Sequence, residues 1–213
     1  MSTTTQNQNI VITRGNENDL KRIFPQFELD FPPSERKSFE HLSMLLRTGN
    51  YKLILMKHID SNEILGYAMI YSVEESNTLW LDYIAINSNH QSSGYGSLLF
   101  NRLIELEGSG CLGIFIEIEI PEENDIDQVR RIKFYERLNS RKLNIEYKIP
   151  DENDGFRIDL YFKSFTNDNT LPSIAIQQTI QTIYDNIHSD VENRHLILDS
   201  IINTIKDTYI GPI

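Results

Sequence analysis

A mixed α/β (α+β) fold is what this 213-residue sequence predicts: a mostly antiparallel central sheet flanked by helices, with a C-terminal helical hairpin. Three observations predict it. Apolar, β-branched runs between Tyr51 and Ile86 are separated by short polar turns, the pattern of an antiparallel meander. Amphipathic helical stripes alternate with strand-like runs on both sides of that meander. From Thr166 the composition shifts, and two further amphipathic stripes follow.

Taken in order, "IVITRGN" from Ile10 reads as a strand, and "ENDLKRIFPQF" as a helix interrupted at Pro25, which cannot donate a backbone bond. The stretch "PPSERKSFEHLSMLLRTGN" sets Phe39, Leu42, Leu45 and Leu46 on one helical face and stops at Gly49. The runs "YKLILMKHI", "ILGYAMIYSV" and "TLWLDYIAI" form the meander. Leu98, Leu99, Leu103 and Leu106 then stripe a helix that ends at Gly108 and Gly110. "IFIEIEI" alternates, with Ile114, Ile116, Ile118 and Ile120 on one face and Phe115, Glu117 and Glu119 on the other. The acidic loop "PEENDID" leads into the helix "QVRRIKFYERLNSRK", and "LNIEYKI" and "RIDLYFKSF" read as two last strands.

The expected organisation is a polar, disordered tail over 1–9, a main domain over 10–165 and a helical hairpin over 166–213, packed on the domain or forming an interface. Ser189-x-x-Glu192 reads as the capping box of the second hairpin helix, closed by Gly211-Pro212. A hydrophobic content of 39% and a charged content of 24% belong to an ordinary globular chain. No run approaches the roughly 18 apolar residues of a membrane span. A formal net charge of -11 argues against nucleic acid or anionic membrane as partner and favours a cationic or neutral one. The single cysteine, Cys111, fits a reducing cytoplasm and reads as a small packed side chain rather than a catalytic thiol. The five histidines have no metal-ligand spacing, so no metal is expected.

Two glycine patterns compete. Gly108, Gly110 and Gly113 match G-x-G-x-x-G but follow a helix and precede a strand, the reverse of a dinucleotide-binding turn, so they read as a helix stop. In "NSNHQSSGYGSLLFNRL", from Asn87, Gly94 and Gly96 stand between a strand and a helix. There, unpaired amides and the positive end of the helix dipole favour an anion without any cationic side chain. No Lys follows Gly96, which excludes a Walker loop.

Together with "IFIEIEIP" and "RRIKFYERLNSRKL", the stretch "LDYIAINSNHQSSGYGSLLFNRL" resembles the GNAT superfamily of N-acetyltransferases, over about Ile10 to Phe165. The Q/R-x-x-G-x-G/A motif of that family is here Gln91 to Gly96, and Phe134-Tyr135 takes the place of its aromatic pair. The resemblance implies acetyl coenzyme A as donor cosubstrate, lying between the strand that ends at Ile86 and the one that starts near Ile114. It implies backbone contacts of Ile84, Ala85 and Ile86 with the pantetheine arm, and amides of Gln91, Ser92, Ser93, Gly94, Tyr95, Gly96 and Ser97 around the pyrophosphate. Gln128 and Arg131 stand where Asn and Ala are usual, and Lys133, Arg130 or Arg131 are candidates for the 3'-phosphate. Ser92 and Ser93 stand where the family often has Lys or Arg.

In chemical terms the implied reaction needs a base for the amine, a stabilised oxyanion and a proton for the departing thiolate. Tyr135 matches the family's general acid. Glu117 or Glu119 is the candidate base, with Asp82 and Tyr83 in reserve and a water relay open. Phe27 to Pro33 and Lys148 to Phe156 flank the expected acceptor side. The expected function is therefore acetyl transfer by direct attack of a primary amine, from a cationic small molecule or peptide, in a ternary complex of a monomer or homodimer. The alternative is a non-catalytic acyl coenzyme A sensor whose hairpin docks a partner.

Overall fold

The computed structural model of the protein describes residues 9–122 and 125–210. The expected tail, except Asn9, and the Gly211-Pro212 stop lie outside the described residues. In chain order the elements are β1 (Ile10–Gly15), α1 (Glu17–Asp30), α2 (Phe39–Thr48), β2 (Tyr51–His58), β3 (Ile64–Val73), β4 (Thr78–Ile86) and α3 (Tyr95–Glu107). There follow β5 (Gly113–Ile118), α4 (Ile126–Arg137), β6 (Arg141–Lys142), β7 (Lys148–Ile149), β8 (Phe156–Arg157) and β9 (Asp159–Ser164). The chain then runs through β10 (Thr170–Leu171), α5 (Ser173–Asn186), α6 (Arg194–Ile202) and β11 (Thr208–Tyr209). The expected mixed α/β architecture with a mostly antiparallel sheet is what these elements form.

The described chain divides into two compact units. The first takes the residues up to Tyr71 together with Asp82–Ser109. Here β1 pairs antiparallel with β2 from Ile10↔His58 to Gly15↔Leu53, and β2 with β3 from Tyr51↔Tyr71 to Lys57↔Ile64. Leu53 and Leu55 of β2 and Leu20, Ile23, Phe27, Leu42 and Leu45 of the two helices are buried, the usual outcome of an amphipathic stripe laid against a sheet face. Asn16 and Asp19 close a reciprocal capping box at the start of α1, and Gly49, at φ 85°, closes α2. α1 runs through Pro25 without a break. The bond that Pro25 deletes would have reached the carbonyl of Lys21, a residue exposed to water, while Ile23 and Phe27 on either side are buried.

The second unit takes Ser72–Leu81 and the residues from Gly110 onward. The first half of β4 pairs in parallel with β5, from Thr78↔Gly113 to Leu81↔Ile116, and β9 pairs antiparallel with β5 on one side and β6 on the other. Across these strands Trp80 stacks on Phe115 and Phe115 meets Phe162 at a tilt, with ring centroids 5.9 and 4.8 Å apart. β5 stops at Ile118, so Glu119 and Ile120 lie beyond the strand expected for them. "LNIEYKI" is not a strand throughout: Leu143 and Tyr147 are buried, and only Lys148–Ile149 pairs, with β8, in a separate two-stranded hairpin.

The C-terminal helices belong to this unit. In α5, Ala175, Ile176, Ile180, Ile183 and Tyr184 are buried, and in α6 Ile197, Leu198 and Ile201. Ser76, Thr78 and Thr179 exchange hydroxyl hydrogen bonds of 2.8 to 2.9 Å in the interior, which ties α5 to the start of β4. The Ser189-x-x-Glu192 box does not form. Ser189 instead donates its hydroxyl to the Asn186 carbonyl at 2.8 Å, and α6 opens five residues later at Arg194.

Candidate active site

At the end of β4 the first unit carries the glycine loop. Asn87 N–H donates to the Leu65 carbonyl at 2.9 Å and its side chain accepts from the Asn89 amide, closing a short turn over Ser88–His90. The Gln91 side-chain amide then donates to the Ile86 carbonyl at 3.2 Å. Ser92, at φ 61°, and Gly94, at φ 82°, are both left-handed, and the chain passes directly into α3. The first intrahelical bond runs from Leu98 N–H to the Gly94 carbonyl at 3.1 Å, so the amides of Tyr95, Gly96 and Ser97 precede it. No side chain caps this helix start, Gln91 to Gly94 are exposed, and nothing lies within 4 Å of where a Cβ on Gly94 would project. The sequence pattern implied this cradle; it gave no sign that Ser92 would share the left-handed turn.

Ile84, Ala85 and Ile86 are half-buried, and β3 lies so close to them that a Cβ on Gly66 would fall 2.7 Å from the Ala85 carbonyl oxygen. One turn of strand earlier, Asp82 accepts a short hydrogen bond from the hydroxyl of Tyr51, which is fully buried. Burial, and next the charge of Asp82, push the Tyr51 phenol well above its ordinary range, so Tyr51 stays protonated and acts as a donor. Tyr83, also buried, donates to the Glu35 carbonyl at 2.8 Å and accepts from the Lys37 amide at 3.2 Å. Tyr67 donates to Asp30 at 2.7 Å. The segment Phe27 to Pro33 and the loop after it are therefore pinned by two tyrosines, a role that no local pattern announces.

In the second unit α4 is capped by Asp125, whose side chain accepts from the amides of Asp127 and Gln128. Tyr135 is the buried residue of this helix, 5% exposed, with Phe134 edge-on at 5.0 Å. Arg131, one turn before it, donates to Glu119 in an ion pair. Gln128 accepts from the Glu122 amide at 2.7 Å, and Lys133 is exposed. Glu117 lies within electrostatic reach of Tyr184 on α5. Tyr184 in turn donates to the Lys148 carbonyl, and Asn193 donates to the Asn153 carbonyl at 2.5 Å. Tyr184 of α5 thus holds the first strand of the Lys148 to Phe156 hairpin, and Asn193, the residue before α6, holds its turn. Asn139, at φ 62°, takes the left-handed position after α4 that its side chain tolerates.

The model of the acetyltransferase (GNAT) family matches residues 17–139, more than half of the chain. The chain belongs to that family. The "Putative acetyltransferase YjbC" of Bacillus subtilis (strain 168) is 24% identical over 162 residues, covering 75% of this chain and 77% of its own. A solved GNAT-family protein of Bacteroides thetaiotaomicron superposes with a TM-score of 0.67 at 20% identity, over 83% of this chain and 97% of its own. The ribosomal-protein-S18-alanine N-acetyltransferase of Escherichia coli does so with a TM-score of 0.56 at 19% identity, over 74% and 94%. The dodecameric spermidine N-acetyltransferase of Vibrio cholerae gives 0.57 at 12%, over 74% and 95%. At these identities the solved structures speak for the fold.

As an acetyltransferase of the GNAT family, the protein is an enzyme of acyl transfer whose family generally uses acetyl coenzyme A. The loop fits the anionic part of that molecule: the amides that open α3, the open space over Gly94 and the Ser92 and Ser93 hydroxyls form a donor set, whereas no Lys or Arg occurs between Asn87 and Ser97. No metal-binding group of three or more His, Cys, Asp or Glu occurs among the described residues, and no helix among them is long and apolar enough to cross a membrane.

Proposed function

We propose that the protein transfers the acetyl group of acetyl coenzyme A to a primary amine by direct attack. The observation that carries the reading is the uncapped, glycine-opened start of α3 directly after β4, in a chain of the GNAT family. The coenzyme supplies the acetyl group as a thioester, an acyl carrier with a good leaving group. The amides of Gly94 to Ser97 and the serine hydroxyls bind its diphosphate, and the backbone of Ile84 to Ile86 lines its arm.

For the base, Glu117, Glu119 and Asp82 are the candidates, and Asp82→Asn is the variant that separates the last from the other two. The Glu119 carboxylate is engaged by the Arg131 guanidinium, and Glu117 lies within electrostatic reach of Tyr184. Asp82 is oriented by a buried hydroxyl donor. The amine proton passes to the base, the amine nitrogen bonds to the acetyl carbon, and the carbon–sulfur bond breaks with its electron pair on sulfur. Tyr135 returns a proton to that sulfur. Burial raises the Tyr135 phenol above its ordinary range, so it is present as the protonated donor at neutral pH.

The acceptor is assigned to the cationic amines. A net charge of -11 attracts them, and structural neighbours named for spermidine and for a ribosomal-protein alanine act on amines. Thiol release from acetyl coenzyme A is expected to rise above background with polyamines or peptide amino termini in an acceptor panel. Tyr135→Phe is expected to lower that rate by roughly 100-fold. Background thiol release across the whole panel would sink the reading.

A further inference from the structure

Arg131 stands at a position where the family resemblance implies a coenzyme contact, yet the fold gives it a different partner. It lies four residues before Tyr135, which puts both side chains on one face of α4. Its guanidinium donates to Glu119, the first residue beyond β5, whose side chain is only 19% exposed. A long, mobile cation is thereby anchored over the helical turn that carries the buried Tyr135 hydroxyl. The two charged side chains act on that hydroxyl in opposite directions: after burial, which dominates, Arg131 pulls its titration down and Glu119 pushes it up.

We infer that Arg131, anchored by Glu119, is a positioning residue for Tyr135: its charge stabilises the phenolate left when the hydroxyl gives its proton to sulfur. In that step the O–H bond breaks, its electron pair stays on the phenolate oxygen within electrostatic reach of the guanidinium, and the S–H bond forms. The phenolate then regains a proton from solvent. A buried phenol is a reluctant donor because its anion is poorly solvated, and a fixed neighbouring cation offsets part of that penalty. The inference rests on the reading of Tyr135 as the acid. It also gives Glu119 a function other than base, that of a tether.

The test is a 19F NMR titration of the full chain carrying a fluorotyrosine at position 135, since fluorination brings the phenol into an accessible pH range. Arg131→Gln is expected to move the titration up by about 1 pH unit, and Glu119→Gln, which releases the guanidinium, to offset part of the downward move that loss of its own charge would give. In the unlabelled chain Arg131→Gln is expected to lower kcat by about 10-fold, with Arg131→Lys restoring most of it and the Kd for coenzyme A unchanged. A titration unmoved in both variants overturns the inference, and so does an Arg131→Gln variant that loses coenzyme A affinity at unchanged kcat. If the titration moves as stated while Tyr135→Phe keeps the wild-type rate, it is the acid assignment that falls.

Discussion

Asp82 and Glu107 show two uses of a carboxylate withdrawn from water. Asp82 accepts a hydrogen bond from a neutral donor, the buried Tyr51 hydroxyl. Asp82→Asn is expected to lower kcat/KM by at least about 100-fold and to flatten the acidic limb of the pH–rate profile; a retained limb would move the base elsewhere. Glu107, with a side chain 2% exposed, is instead gripped by Arg14 at 2.5 Å and Lys52 at 2.8 Å. Burial alone would raise its pKa, but the hydrogen bonds and charges of Arg14 and Lys52 outweigh it, and the net shift is downward. A depressed folded-state pKa means that its contribution is complete above the ordinary carboxylate range and is lost as pH falls through the folded value. Glu107→Gln is expected to cost about 2 kcal/mol at neutral pH, with the difference from wild type shrinking in acid unfolding curves.

At the scale of elements, the loop that opens α3 makes a sharper demand on its residues than any helix stripe does. Gly94 occupies a left-handed conformation with open space over it. A Gly94→Val variant would be strained by about 1 kcal/mol or more and would fill the space the amides face, so calorimetry is expected to show coenzyme A affinity reduced at least about 10-fold. This element was legible in advance because strand, glycine pair and helix are contiguous, and contiguity is what local patterning records. The meander and α3 were legible for the same reason. Where partners are distant, reading failed. "LNIEYKI" looks like one strand, but its pairing is decided by Leu160 and Phe156, residues well beyond it, and it splits. The start of α6 differs for a local reason: Ser189 finds the Asn186 carbonyl, three residues back, before it can cap anything. The tyrosines that pin Asp30, Asp82 and the Glu35 loop are equally invisible along the chain, since their partners lie 31 to 48 residues away.

For the molecule as a whole, the segment after Phe165 is part of the fold of its unit rather than an appendage to it. α5 supplies Tyr184 against the buried Tyr147 at 6.3 Å, the Thr179 hydroxyl to Ser76 and Thr78, and a donor to Lys148. A chain ending at Phe165 would expose this apolar face and strand the Thr78 and Ser76 hydroxyls, so it is expected to lose its cooperative thermal transition; a sharp transition near the wild-type Tm would show that the segment is dispensable. Trp80 bears on how such an experiment is read. It is the sole tryptophan of the chain, fully buried and stacked on Phe115, within the unit that α5 and α6 complete. Its fluorescence is therefore a local optical reporter: the red shift on unfolding will time the opening of that unit alone, whereas circular dichroism sums both. If the two signals part company along a denaturant series, the units melt separately, and the spectroscopy distinguishes which one goes first without any label.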